Sequence, residues 1–300
     1  MKQGKALGPW LIILAGIFWG SMGIFVRRLS GYGFSSLQIT AGRLSLSGLF
    51  FALILLIKEP AGFRIRLRDL PLFLGLGILS ILFFTLCYFT AITIMPLSTA
   101  AILLYTSPIW VMLMSILFFH EKMDRRKLVA LLLAFGGCVL VSGITEGGLT
   151  ARGLLIGLGA GIGYGLYSIL GTVALRRYSP YTVTAYTFLI AGLGSWFVAP
   201  PAAFLAVLRQ ASSPSGLVLF FLLTALVTAV IPFLAYTLGL HTVEASKAAI
   251  LATVEPMVAT LFGIFLFHEP VTLLSALGIM LILAAVVLLN CKTFSSNRQS

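Results

Sequence analysis

Charge is what this chain has least of. Only 9% of its 300 residues are Asp, Glu, Lys or Arg, and eight of them are acidic. A soluble surface needs roughly a quarter charged residues, so an ordinary globular protein is excluded. Cysteine is scarce too. Cys87, Cys138 and Cys291 are an odd number without CxxC or metal-ligand spacing, and they fall within or at the end of apolar runs. A disulfide framework is therefore not implied, and the three read as packing residues. The glycine-rich stretches lack a Gly-Lys-Ser/Thr ending, which excludes a nucleotide-phosphate loop and leaves no cofactor implied. The three histidines, His120, His241 and His268, all sit at the edges of apolar runs. None is placed to serve a buried Ser or Cys as general base, so an intramembrane hydrolase is a poor reading.

What the chain does have is apolar length. Hydrophobic residues make up 60% of it, and breaking the sequence at charged, Pro, Gly and Ser punctuation leaves ten runs near the 20 or so residues that a bilayer-spanning helix needs. They cover about 9–27, 35–57, 71–93, 98–119, 128–144, 153–175, 181–208, 216–239, 247–267 and 272–290. None alternates apolar with polar as a membrane barrel would. The expected fold is an all-α integral membrane protein with ten transmembrane helices. Pro96, Pro180, Pro270 and Ser212-Ser213-Pro214-Ser215 fall between runs, where backbone without helical hydrogen bonds can reach water. Lys2 and Lys5 precede an apolar stretch, yet no small-residue cleavage site follows it, so we expect a retained first helix rather than a signal peptide.

The net charge of +12 gains its meaning from position. Alternate connections give one side Lys2, Lys5, Lys58, Arg64, Arg66, Arg68, Lys122, Arg125, Arg126, Lys127, Arg176, Arg177, Lys247, Lys292 and Arg298. The other side receives Arg27, Arg28, Arg152 and Arg209, with Arg43 left inside a helix. By the positive-inside rule both termini are expected in the cytoplasm, and the membrane is the cytoplasmic one. Charge spread over short loops in this way also removes nucleic acid as the default partner.

The sequence repeats. A shift of 148 aligns Ala100-Ala101-Ile102-Leu103 with Ala248-Ala249-Ile250-Leu251, Pro108 with Pro256, and Phe119-His120-Glu121 with Phe267-His268-Glu269. It also pairs Tyr88 with Tyr236 and Ser98 with Ser246, while a shift of 145 sets Trp19 opposite Tyr164. Two five-helix units follow, 9–144 and 153–290, joined through Thr145-Glu146-Gly147-Gly148. An odd helix number per unit makes the second copy enter the membrane from the opposite face. Inverted repeats of this kind are the construction of many secondary transporters.

These residues resemble the EamA-type carriers of the drug/metabolite transporter superfamily. The likeness rests on Ala15-Gly16-Ile17-Phe18-Trp19-Gly20, Arg43, Tyr88 through Glu121, and Tyr236 through Glu269. It implies ten helices in a 5+5 arrangement and transport of small metabolites, with the substrate left open among amino acids, amines, drugs and others.

Among the charged residues only Arg43 and Glu255 lie deep in their runs, and ionisable groups at that depth are functional candidates. The Glu255 carboxyl could bind an ammonium group or carry a proton, or it could be a satisfied structural feature beside Pro256. Arg43 could hold a substrate carboxylate, or pair with Glu255 as a gate. Trp19, Tyr88, Tyr105, Tyr164 and Tyr236 sit well inside their helices. They could line a midplane pocket able to hold a cation or a flat ligand. Gln38 joins them as a hydrogen-bonding candidate; Thr85, Thr106, Ser107 and Thr253 could do the same, although such residues often serve as interhelical contacts. Glycines at four-residue spacing in 153–165, with Gly16 and Gly20, suggest close helix contact between the halves. The two His-Glu pairs suggest a metal, but inversion would place them a bilayer apart, and we read them as interfacial anchors.

The expected function is secondary active transport by alternating access, most simply export of amino acids or related compounds. Organic or quaternary ammonium cations and drugs are the alternative cargo, and a non-transporting scaffold or receptor is the alternative of another class. The partners are a small-molecule substrate and the lipid bilayer; monomer and homodimer both stay open.

Overall fold

The computed structural model describes residues 2–143, 150–210 and 213–290, with side chains from Leu7 onward. The side chains of Lys2 and Lys5, the Thr145–Gly148 connection, Ser212, Cys291, Lys292 and Arg298 lie outside the described residues. Every regular element among the described residues is helical.

The chain opens with α1 (Lys2–Gly20) and α2 (Met22–Ser30), separated at Ser21, whose hydroxyl donates to the Phe18 carbonyl at 2.6 Å. In α3 (Ser36–Lys58) the start is set by a capping box: Ser35 Oγ accepts from the Gln38 N–H, and Gln38 Oε1 accepts from the Ser35 N–H at 2.8 Å. Next come α4 (Leu70–Leu74) and α5 (Phe83–Ile94), joined through a π-helical stretch at Gly75–Leu82. Then α6 (Leu97–Leu104) and α7 (Ser107–Phe119) form one span broken at Tyr105 and Thr106. Pro108 supplies the break, because it has no N–H for the carbonyl four residues back.

Asp124 caps α8 (Arg125–Ser142), and Thr150 caps α9 (Ala151–Ala174). The run 181–208 proves to be two helices, α10 (Pro180–Ser195) and α11 (Pro201–Gln210). Pro200 and Pro201 end the first and start the second, since proline suits a helix start but not its interior. The second half continues with α12 (Pro214–Ala225), a π-helical stretch at Leu226–Val230, and α13 (Ile231–Leu240). It closes with α14 (Ala245–Leu251), α15 (Val254–Phe267) and α16 (Leu273–Asn290).

Among the described residues eight helical segments are long and apolar enough to cross a membrane: Leu7–Ser30, Ser36–Lys58, Leu67–Ile94, Leu97–Phe119, Ala151–Ala174, Pro214–Leu240, Ala245–Phe267 and Leu273–Asn290. The other two expected runs fall to α8, which begins on Arg125, Arg126 and Lys127, and to α10, which has 16 residues. At 1.5 Å per residue α10 reaches only about 24 Å, short of a ~30 Å hydrocarbon core.

Helices pack in reciprocal pairs. α3 lies on α10, α8 on α16, α1 on α13 and α15, and α9 on α5 and α7. At the α8/α16 crossing a Cβ on Gly137 would fall 2.7 Å from the Gly278 carbonyl, and one on Gly278 would fall 2.8 Å from the Gly137 carbonyl. Only glycine permits that approach. Backbone irregularities recur at nearly the repeat spacing: the two π-helical stretches, the breaks before Pro108 and Pro256, and left-handed caps at His120 (φ 54°) and His268 (φ 53°).

Candidate functional site

Between α1, α7, α9, α13 and α14 lies a cavity with ≈ 20 Å³ of space for water-sized guests, which is enough for a water or so. Trp19, Tyr164 and Tyr236 stand on its wall, together with Ser107, Tyr167, Ser168 and Phe233. Trp19 is the centrepiece. Its ring lies 4.9 Å from Phe233, 5.3 Å from Tyr236 and 6.2 Å from Tyr164, within the range where aromatic pairs attract. The residue is only 7% exposed, yet its Nε1–H finds no acceptor among the described residues. Such a donor is costly to leave unmatched in an apolar setting.

Two hydroxyl pairs fix the neighbouring rings. Tyr236 Oη and Ser168 Oγ are 2.7 Å apart. Tyr167 Oη and Thr237 Oγ1 are also 2.7 Å apart, and because Thr237 donates to the Phe233 carbonyl, Tyr167 is the donor.

Glu255 stands one hydrogen bond from this wall, where the Tyr164 hydroxyl donates to its Oε2 at 2.9 Å. The carboxylate lies in the first turn of α15, just after the break at Ala252 and Thr253. A helix N-terminus there presents free N–H groups and a positive dipole end to an acidic side chain. Gly16 and Gly20 let α1 close on this turn; a Cβ on Gly20 would meet the Glu255 carbonyl oxygen at 2.8 Å. In the other half Gly161 and Gly165 approach the Leu103 and Ser107 carbonyls at the α6/α7 break. The glycines at four-residue spacing therefore seat α1 and α9 on the two broken spans.

Arg43 is 6% exposed and does not form an ion pair with Glu255 in this conformation. Its Nη1 instead donates to the Thr228 carbonyl at 3.4 Å and lies 3.5 Å from Met22 Sδ, while Nε has no partner. Thr228 lies in the π-helical stretch Leu226–Val230, four residues before Pro232. Met22 follows Trp19 by three residues, across the break at Ser21 that separates α1 from α2.

Three of the expected pocket residues are not on this cavity wall, although Tyr88 and Tyr105 stay within electrostatic reach of Glu255. Gln38 is consumed by the α3 capping box. Tyr88 packs among Ala91, Met95, Ala100 and Leu103, and Tyr105 packs against Cys138, Val254 and Ile282 at the α6/α7 break. Tyr164 meets Phe84 at 5.3 Å, one turn before Tyr88 on the same helix. Tyr167, Ser168 and Phe233 escaped the sequence reading, although they sit three or four residues from Tyr164 and Tyr236, the spacing that shares a helix face.

The family model described as "EamA-like transporter family" matches residues 6–143 and again 151–291. The chain belongs to the EamA-like transporter family. It is a multi-pass membrane protein of the drug/metabolite transporter superfamily. A protein of Archaeoglobus fulgidus named "Uncharacterized transporter" is 30% identical over 96% of both chains. A protein of Streptantibioticus cattleyicolor named "Probable terminal-alkyne amino-acid exporter" is 24% identical over 100% of this chain and 98% of its own. A solved crystal structure shares the fold, with a TM-score of 0.75, 17% identity and coverage of 94% and 95% of the two chains.

Proposed function

We propose that this EamA-type transporter is a secondary carrier that exports amino acids or related compounds across the cytoplasmic membrane by alternating access. In this reading ten spans form two inverted halves, 9–144 and 153–290, with both termini in the cytoplasm. The observation that carries it is the cavity wall, built from α1 and α7 of the first half and α9, α13 and α14 of the second. Sites between inverted repeats are where such carriers bind their cargo. At ≈ 20 Å³ the cavity is too small for an amino acid, so the solute enters only when the helices at one end part.

Glu255 would take the ammonium group, reached past Tyr164. Trp19 Nε1–H and the Arg43 guanidinium, both with unfilled donors, would take the carboxylate. The S. cattleyicolor relative named as an amino-acid exporter supports the same cargo. Between cargoes Glu255 could carry a proton, or draw Arg43 into a direct pair in another conformation. The ring cluster around Trp19 favours a second reading, an organic-cation carrier, because aromatic faces attract cations.

Counterflow in vesicles reconstituted with the full chain tests these readings. A labelled amino acid is expected to accumulate, with a drop of about tenfold or more on Glu255→Gln, the scale of a lost charged hydrogen bond. Accumulation of choline in place of the amino acid selects the second reading. Movement of neither would favour a scaffold.

A further inference from the structure

A second cleft, ≈ 430 Å³ in volume, opens far from the central cavity, between the segment 59–69 and the connection from α9 to α10. Arg64, Arg66 and Arg177 line it, with Glu59 and Asp69 as the acidic side chains. Asp69 is answered within the protein. Its Oδ1 accepts from Arg177 Nη1 at 2.8 Å and its Oδ2 accepts from the Tyr178 hydroxyl at 2.6 Å. The guanidinium groups of Arg64 and Arg66 make no hydrogen bond or ion pair with the described residues. Two free cations thus face one free carboxylate. The α10 N-terminus, capped by Ser179, opens on the same cleft and adds positive potential there.

The apolar side chains beside these arginines are arranged for lipid rather than water. Leu67, between Arg66 and Arg68, is 86% exposed, and Ile57 is 69% exposed. Apolar side chains laid open next to guanidiniums characterise segments at headgroup depth, where the one meets acyl chains and the other meets phosphates. Cleft size agrees, since 300–1,000 Å³ is the usual range for small-ligand sites.

We propose that this cleft is a headgroup site for an anionic phospholipid, with the phosphodiester held by Arg64 and Arg66 and an acyl chain along Leu67. Its walls come from two connections, so a bound headgroup bridges them and holds this end closed.

The test is lipid retention by the full chain in nanodiscs of phosphatidylcholine, with and without phosphatidylglycerol, read by native mass spectrometry and thermal midpoint. Wild-type protein is expected to retain phosphatidylglycerol selectively and to unfold at a higher temperature with it. The Arg64→Gln/Arg66→Gln variant should lose affinity roughly thirtyfold, at about fivefold per cation near an anionic surface. In phosphatidylcholine alone its midpoint should equal wild type, because the two side chains have no protein partner to lose. Equal retention by the variant would reduce the arginines to topological signals and overturn the proposal. So would an equal stabilisation of wild type in phosphatidylcholine by soluble glycerophosphoglycerol, which would make the ligand a free phosphodiester.

Discussion

One end of the molecule is held by charge and the other by rings. At the first, Asp69 binds Arg177 and Tyr178, and Lys127 Nζ lies 2.7 Å from Glu244 and 3.4 Å from Glu121, which also receives the Ser246 hydroxyl. At the second, Phe34, Phe204 and Phe221 meet at centroid distances of 5.0 to 5.3 Å around Leu29 and Leu217. The repeat makes Glu121 and Glu269 counterparts, yet their settings differ. Glu121 and Lys127 have side chains 10% exposed, whereas Glu269 pairs with Arg27 at 2.8 Å with exposures of 48% and 58%. Separating the pairs at the charged end leaves Lys127, Glu121 and Asp69, all nearly buried here, to be rehydrated, so their cost depends on water reaching them. Opening the ring-lined end exposes apolar surface at about 25 cal/mol per Å². The two ends of this conformation are therefore closed by different forces, ion pairs at one and apolar ring contacts at the other.

The largest test strikes the rings. Phe221→Ala removes a 2%-exposed side chain from contact with Phe34 and Phe204 and should cost about 3–4 kcal/mol, with little dependence on salt. Denaturation in mixed micelles reads it, and a loss under about 1 kcal/mol would mean the rings do not seal that end. Lys127→Met comes next. It strands the Glu121 carboxylate and should cost about 2–3 kcal/mol, with part regained when Glu121→Gln is added. No recovery in the double variant would show that packing, not charge, holds the first end. The smallest effect belongs to Arg27→Gln, at roughly 0.5 kcal/mol or less and masked by salt. A loss as large as that of Lys127→Met would erase the contrast between the two glutamates.

Much of this arrangement could be read before any coordinates. Run lengths anticipated the helices, and the paired prolines anticipated the breaks, because a missing N–H acts locally whatever surrounds it. The double proline at 200–201 carried the same signal, yet the apolar count across 181–208 overrode it. The candidate site was legible only in part. Trp19, Tyr164, Tyr236 and Glu255 come together. Depth along a helix says nothing about facing, however, so Tyr88 and Tyr105 turned out to point into other packing clusters. Gln38 carried a capping signal, Ser35 three residues before it, that competes with a binding role.

By itself the sequence determined the membrane class, the near-duplicate halves and the two deep charges, since each follows from composition, period or position along one chain. Tertiary structure alone decided which rings share a wall, that Arg43 donates to the Thr228 carbonyl and forms no ion pair with Glu255 in this conformation, and that the two ends close by different forces. Those outcomes depend on helix rotation and on partners 100 or more residues away, for example the 185 that separate Arg43 from Thr228. Packing sets such contacts, and no local pattern encodes them.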